Sequence, residues 1–339
     1  MPHWIDPLTD PRWAELTDRH PDASVFHTAA WLRALCATYG FTAGAVTTSP
    51  PGGRLENGIP FCRIRSRLTG SRLCSLPFSD HCQPLADSGD LDALLGALSG
   101  DRRDRGCRYL ELRPLRPVKD PGFAPSQAFW WHTLDLRPPK EELFRNLHPD
   151  CVRRKIRRAG REGLTTGAGS SDDLLDDFFT LQLHTRRKHG LPPQPREWFR
   201  NLLKEMRGGA VIRVARRGRR PVAAILTLRH RKTETYKYGC SEAEDNSLGG
   251  MQLLLWQAIE EARDAGMLRM DLGRCDTDNA GLAAFKERWG ASRRDIAYFR
   301  EPAVKQSPGK VSGAASKVFS HLPYPLLEAA GRILYRHFA

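Results

Sequence analysis

Thr235-Tyr-Lys-Tyr238 leads through Gly239 and a polar loop to Ser247-Leu-Gly-Gly250, where a long amphipathic pattern begins. Met251, Leu254, Leu255, Ala258, Ile259 and Ala262 recur at helical spacing, and Gly266 stops the run. A strand, a glycine-bearing loop and a helix in that order have a physical use. Glycine lets the backbone approach an anion closely, while the first helical N–H groups and the helix dipole point at it. An ordinary glycine-rich turn before a helix gives the same local pattern, so the surroundings must separate the two readings.

Working outward, residues 210–215 and 221–229 read as strands, the turn His230-Arg231-Lys232 leads into the quoted strand, and 267–272 reads as another strand after the helix. Upstream lie a strand at 130–136, a helix, a basic segment at 151–163 and a helix at 172–189. The first half has a helix at 29–39, strand-like runs at 58–65 and 72–77, a helix at 91–98 and an alternating strand at 108–113. A proline-rich stretch at 114–125 reads as a linker. The expected organisation is a domain at 1–128, a second at 129–303 holding the donor and acceptor site, and a tail at 304–339. In that tail, Ser, Gly and Lys at 307–315 read as linker before an amphipathic segment broken by Pro323 and Pro325. It either packs back on the body or meets an anionic membrane surface.

The 339 residues suit two domains, and no stretch approaches the ~20 apolar residues of a membrane-spanning helix. The first residues lack the features of an export signal, so the expected location is cytoplasmic, with peripheral contact to the inner membrane face through the tail. Lys plus Arg number 53 against 39 Asp plus Glu, a net charge of +14, which draws the chain toward polyanions such as tRNA, coenzyme A, nucleotide-linked molecules or anionic lipid. An arginine-rich composition inherited from a GC-rich genome accounts for the same excess. The eight cysteines form no CxxC pair and no zinc spacing, so they read as reduced and mostly buried, and no metal site is expected.

Several separated segments, in order, resemble the FemAB group of aminoacyltransferases and its relatives in the GNAT acetyltransferase superfamily. Phe26-His-Thr-Ala-Ala-Trp31 is similar to the group's Phe-Gln-Ser-x-x-Trp, and Leu76-Pro-Phe-Ser-Asp-His-Cys-Gln-Pro-Leu-Ala-Asp87 to its proline-glycine-proline loop, with Gln83 where glycine is usual. Arg153-Arg-Lys-Ile-Arg-Arg-Ala159 resembles the basic helix of the second domain. Asp271-Leu-Gly273 and Gly281-Leu-Ala-Ala-Phe-Lys-Glu-Arg-Trp-Gly290 resemble the closing strand and the Phe-Lys-x-x-Phe-Gly motif, with Trp289 for Phe. The resemblance covers about residues 20 to 300 and implies an α/β (α+β) chain of two tandem GNAT-like domains, each a mixed central sheet flanked by helices. The long helical arm of some members is missing. The resemblance implies an acyltransferase with aminoacyl-tRNA or acyl-CoA as co-substrate and no covalently bound cofactor. The acceptor is then an amine on a small phosphate-bearing molecule, such as a cell-wall precursor. A non-catalytic tRNA- or lipid-binding protein is the further alternative.

Candidate site residues follow from both sources. In the basic helix, Val152, Ile156 and Ala159 form an apolar seam while Arg153, Arg154, Lys155 and Arg157 crowd the rest, a density of like charge that an anionic substrate would relieve. A solvated basic face is the alternative. The resemblance places Lys286 at the donor end as a counter to negative charge, or else on the surface. It places Asp87 in the acceptor pocket as an orienting or basic group, or else as a loop cap. Tyr238 joins these as catalytic, Trp31 and Lys237 as substrate-binding, and Gly239, Gly249, Gly250 and Phe285 as donor-binding. No Ser-His-Asp or Cys-His pattern presents itself, in keeping with direct transfer of the acyl group.

Overall fold

The computed structural model describes residues 1–303 and 313–338. Of the expected linker at 307–315, residues 307–312 lie outside them and 313–315 open a helix. Two compact units result, and they are not consecutive halves. One comprises Met1–Phe129, Asp295–Gly309 and Arg336–Ala339, the other Trp130–Arg294 and Lys310–Tyr335.

The first unit contains β1 (His3–Ile5), α1 (Pro11–Arg19), α2 (Ala29–Tyr39), β2 (Thr42–Thr47), β3 (Ile59–Ile64), β4 (Arg72–Ser75), α3 (Ser88–Asp104) and β5 (Leu110–Leu112). The strand Ala124–Asp135, β6, carries the chain into the second unit. Helix α2 starts where the Thr28 side chain accepts from the Trp31 N–H and ends at Gly40 in the left-handed conformation. β1 to β4 pair antiparallel in sequence order, β4 and β5 are parallel, and the returning strand Ser292–Glu301 (β12) closes antiparallel on β5. Val46, Ile59, Phe61, Leu73, Leu110 and Phe299 form the core beneath α3.

Glu111 is buried on β5 between two guanidinium groups, with Arg113 at 2.8 Å and Arg300 at 2.6 Å. Burial alone pushes its pKa up, but the two arginines outweigh burial and hold it at about 2. A folded pKa below the unfolded one stabilises the fold above the ordinary carboxylate range, and that stability is lost as pH falls from about 4.5 toward 2, an effect of roughly 3 kcal/mol. Glu111→Gln should therefore lower unfolding free energy by about 3 kcal/mol at pH 7. In urea titrations the gap to wild type should close as pH is taken below 4. A gap of constant size would contradict this account.

The second unit runs through α4 (Lys140–Asn146), a π-type turn at Pro149–Arg153, α5 (Arg154–Arg161), β7 (Thr165–Gly169), α6 (Asp172–Lys188), α7 (Arg196–Met206), β8 (Ala210–Arg217), β9 (Arg220–His230), β10 (Thr233–Ser241), α8 (Gly250–Asp264), β11 (Arg269–Asp276) and α9 (Ala280–Glu287). Its mixed sheet has the order β6-β11-β10-β9-β8-β7. β10 and β11 are parallel, and β7 to β10 are antiparallel neighbours. Helix α8 packs its Leu254, Leu255, Ala258 and Ile259 against Ala215, Ala223 and Ile225, while Phe178 of α6 and Phe199 of α7 stack edge-to-face in the core.

The tail forms α10 (Gly313–His321) and α11 (Tyr324–Leu334), both packed on α6. Phe319 and Leu327 are buried, and Arg187 of α6 donates to the Ser320 carbonyl and lies 4.8 Å from the Tyr324 ring centre. Val318, Leu326 and Ile333 remain exposed. The tail's apolar residues are thus divided between packing and solvent. Among the described residues no helix is long and apolar enough to cross a membrane.

Candidate active site

The registered pairing of β10 with β11 covers only Thr233–Thr235 against Arg269–Asp271, although both strands continue. Beyond that point β10 carries a bulge. Tyr236 opposes Thr227 and Tyr238 opposes the adjacent Leu226, so Lys237 is the extra residue. Strand alternation would put Tyr236 and Tyr238 on one face, and the bulge puts them on opposite faces. The Tyr236 hydroxyl reaches Met251 Sδ of α8, with burial pushing its pKa up. The Tyr238 hydroxyl accepts from Trp198 Nε1 of α7 at 2.9 Å, and its ring meets Phe199 edge-on at 5.2 Å.

Gly239 follows on the Tyr236 side. A Cβ there would lie 1.8 Å from the Tyr236 hydroxyl. Gly249 is left-handed, φ 84°, and its added Cβ would fall 2.2 Å from the Lys155 carbonyl oxygen, so this position is fixed both by conformation and by the approach of α5. Gly250 lets α8 start close to the sheet, its added Cβ being 3.1 Å from that of Ala223. These contacts surround a cavity of about 280 Å³ lined by Lys155, Ser241, Asp245, Asn246, Gly250 and Phe285, among others. Met251 and Gln252, also in the lining, belong to the first turn of α8, whose N–H groups have no intrahelical acceptor. Lys155 Nζ donates to the Asn246 carbonyl, and the Asp245 carboxylate is met by Arg220 at 2.7 Å, so the carboxylate does not leave the cavity net negative.

Helix α5 shows a second concavity of about 770 Å³, lined by Asp150, Arg153, Arg154, Arg157 and Arg161. Arg153, Arg157 and Arg161 stand four residues apart on one face, while Val152 and Ala159 are buried on the other. Arg154 pairs loosely with Asp150 at 3.5 Å, and Arg157 lies 5.8 Å from the Phe144 ring centre.

Lys286 is not a surface lysine. It is buried, and Nζ donates to the carbonyls of Gly273 and Arg274 at 2.9 Å each, at the end of β11. Beside it, buried His132 has Nδ1 4.0 Å from Cys275 Sγ and Nε2 3.8 Å from Glu287 Oε1, and burial together with the Lys286 charge lowers its pKa. Among the described residues no three His, Cys, Asp or Glu side chains gather as a metal site.

The sequence candidates therefore separate. Lys155, Gly250 and Phe285 line one cavity, Gly249 joins α5 to α8, and Arg153, Arg154 and Arg157 line the basic concavity. Lys237 is the bulged residue, its Nζ 5.6 Å from the Tyr238 ring centre. Trp31 and Asp87 belong to the first unit. Trp31 must be corrected as a substrate contact, because it is fully buried against Phe26, ring centres 4.9 Å apart, and has no surface to offer. Asp87 stands exposed at the start of α3 without capping it by a side-chain hydrogen bond. Ser241, Asp245, Asn246, Met251 and Gln252 escaped the sequence reading as lining residues. The polar run between Gly239 and Gly249 was the available signal for the first three.

Residues 150–305 match the model of the acetyltransferase (GNAT) domain family. The diverging strands and the glycine-framed helix start both lie inside that match. Over 187 residues the chain is 24% identical to the UDP-N-acetylmuramoylpentapeptide-lysine N(6)-alanyltransferase of Weissella viridescens, covering 55% of this chain and about half, 52%, of that relative. The crystal structure of FemX aligns with a TM-score of 0.70 at 15% identity, covering 88% of this chain and 96% of FemX. A tandem GNAT protein from the clavulanic acid biosynthesis pathway aligns at 0.56 and 14% identity, covering 90% and 100%. At these identities the structures establish the fold, a tandem GNAT-like arrangement with mixed sheets flanked by helices.

Gly249→Ala forces a Cβ against the Lys155 backbone and a left-handed conformation on a residue that resists it, a combined cost of roughly 1–3 kcal/mol. The variant should melt several degrees lower. Gly250→Ala, which meets three methyl groups at 3.1–3.4 Å and no backbone atom, should do less. Equal melting temperatures for wild type and Gly249→Ala would show that the contact does not hold the site.

Proposed function

We propose that this acyltransferase forms an amide bond by moving an aminoacyl group from aminoacyl-tRNA to the amine of a phosphate-bearing acceptor such as a cell-wall precursor. The observation that carries the reading is the pairing of two anion-receptive features in one unit, the cavity at the start of α8 and the arginine face of α5, joined at the Gly249–Lys155 contact. The net charge of +14 and the name of the Weissella viridescens relative, an alanyltransferase acting on a UDP-linked muramoyl peptide, support it.

In this reading the acceptor phosphate rests on Arg153 and Arg157, whose guanidinium forks suit bidentate contact. The neutral amine attacks the ester carbonyl, whose oxygen becomes an oxyanion. Backbone N–H groups of the bulged segment around Tyr236 to Gly239, where the β11 ladder has ended, polarise that oxygen. As the tetrahedral intermediate collapses, the C–O bond to the ribose breaks, and the proton lost by the amine goes to the departing oxygen. Lys286 holds the end of β11 and supplies positive charge there. Tyr238, braced by Trp198, keeps the bulge in place. Positioning supplies the rate, and no covalent enzyme intermediate is required.

Transfer from acyl-CoA is a second reading, favoured by the glycines at the start of α8, which suit a diphosphate. Retention of radiolabelled aminoacyl-tRNA on filters across a salt series, with coenzyme A as competitor, decides between them. Tight, salt-steep retention is expected. Weak tRNA retention with saturable coenzyme A binding would favour the second reading. Arg153→Gln with Arg157→Gln should raise the acceptor KM about 10- to 100-fold with little change in kcat. An unchanged KM would remove α5 from the acceptor site.

A further inference from the structure

The second unit has another concavity, about 500 Å³, at the opposite end of β10 and β11 from the donor cavity. Arg137, Lys232, Arg269 and Arg294 line it, each from a different stretch of chain: beyond β6, the β9–β10 turn, the start of β11 and the start of β12. Asp135 is the one acidic residue in the lining. It is fully engaged by Arg137, whose Nε and Nη2 donate to it at 2.9 and 2.7 Å. Arg269 donates to the Thr233 hydroxyl, and among the described residues no ion pair involves Lys232, Arg269 or Arg294. Three cations without a carboxylate partner, drawn from separate stretches of chain, thus share one groove. Thr133, Thr233 and Ser292 add hydroxyl groups.

We infer that this groove binds the phosphodiester backbone of an RNA, the body of the aminoacyl-tRNA whose acylated end enters the donor cavity. The inference rests on the donor reading proposed above and extends it to a place far from the chemistry. At ~3.3 Å per residue, strand β10 separates the groove from the cavity by about 25–30 Å. A ligand engaging both ends must carry phosphates over that distance, which a folded RNA does and a single diphosphate group does not. Hydroxyls interleaved with cations in a concave groove suit phosphate and ribose contacts, whereas a bilayer presents a flat surface that would favour a protruding apolar edge.

The experiment compares wild type with Lys232→Gln/Arg269→Gln/Arg294→Gln, using a full-length aminoacyl-tRNA and a minimal aminoacyl-CCA trinucleotide too short to reach the groove. The triple variant should retain tRNA at least about 30-fold more weakly at 0.1 M salt, with the log–log salt slope smaller by about 2–3. Its turnover of the trinucleotide should match wild type, showing that the fold and the donor cavity are intact. An unchanged slope and affinity for tRNA, with wild type binding tightly, would overturn the groove and leave the donor reading standing. Equal losses on both substrates would also overturn it, as would loss of binding to anionic phosphatidylglycerol vesicles with tRNA retention unaltered. Failure of wild type itself to bind tRNA would overturn the donor reading and the groove together.

Discussion

The single inserted residue in β10 is the constraint on which the second unit's site depends. Without Lys237 out of register, Tyr236 and Tyr238 would project to the same face, and one of the two helical layers would lose its anchor on the strand. With it, Tyr236 reaches α8 through Met251 while Tyr238 is held by Trp198 of α7. The bulge also falls where the β11 ladder has ended, so backbone groups that a regular sheet would use internally are left at the mouth of a wedge. The wedge is a consequence of interrupted pairing.

A second dependence is electrostatic. Helix α5 concentrates like charges at positions four apart, an arrangement that weakens an isolated helix by a few tenths of a kcal/mol per pair. Tertiary packing offsets this. Val152 and Ala159 are buried, and the Lys155 carbonyl lies so close to Gly249 that no side chain fits between them. The contact that supports the cationic helix is therefore also the one that shapes the start of α8. Glu111 in the first unit shows the opposite solution, a buried charge fully met by two partners and contributing to the fold alone.

Much of the framework was legible. The limits of α2 and α8 follow from periodicity and flanking glycine, and the expected strands at 210–215, 221–229 and 233–238 appear as β8, β9 and β10. Other elements were missed for identifiable reasons. β2, with Gly44 and four alanine or threonine residues, lacks the bulky residues by which strands are recognised, and β12 begins on Ser292-Arg-Arg-Asp295, whose charge hides the apolar alternation that follows. Helix α9 is short and was read only through its motif.

By itself the sequence determined the order of elements, the glycines that frame α8, the cationic face of α5 and the likeness to Fem-type acyltransferases, since each is written in local spacing or in motifs whose order survives divergence. Only the tertiary structure decided that Trp31 is sealed in a core, that Lys286 is buried against two carbonyls, that Tyr236 and Tyr238 part company, and that cations from four stretches of chain share one groove. Those outcomes turn on strand register and on contacts between residues far apart in the chain, and a periodic pattern of side chains carries neither.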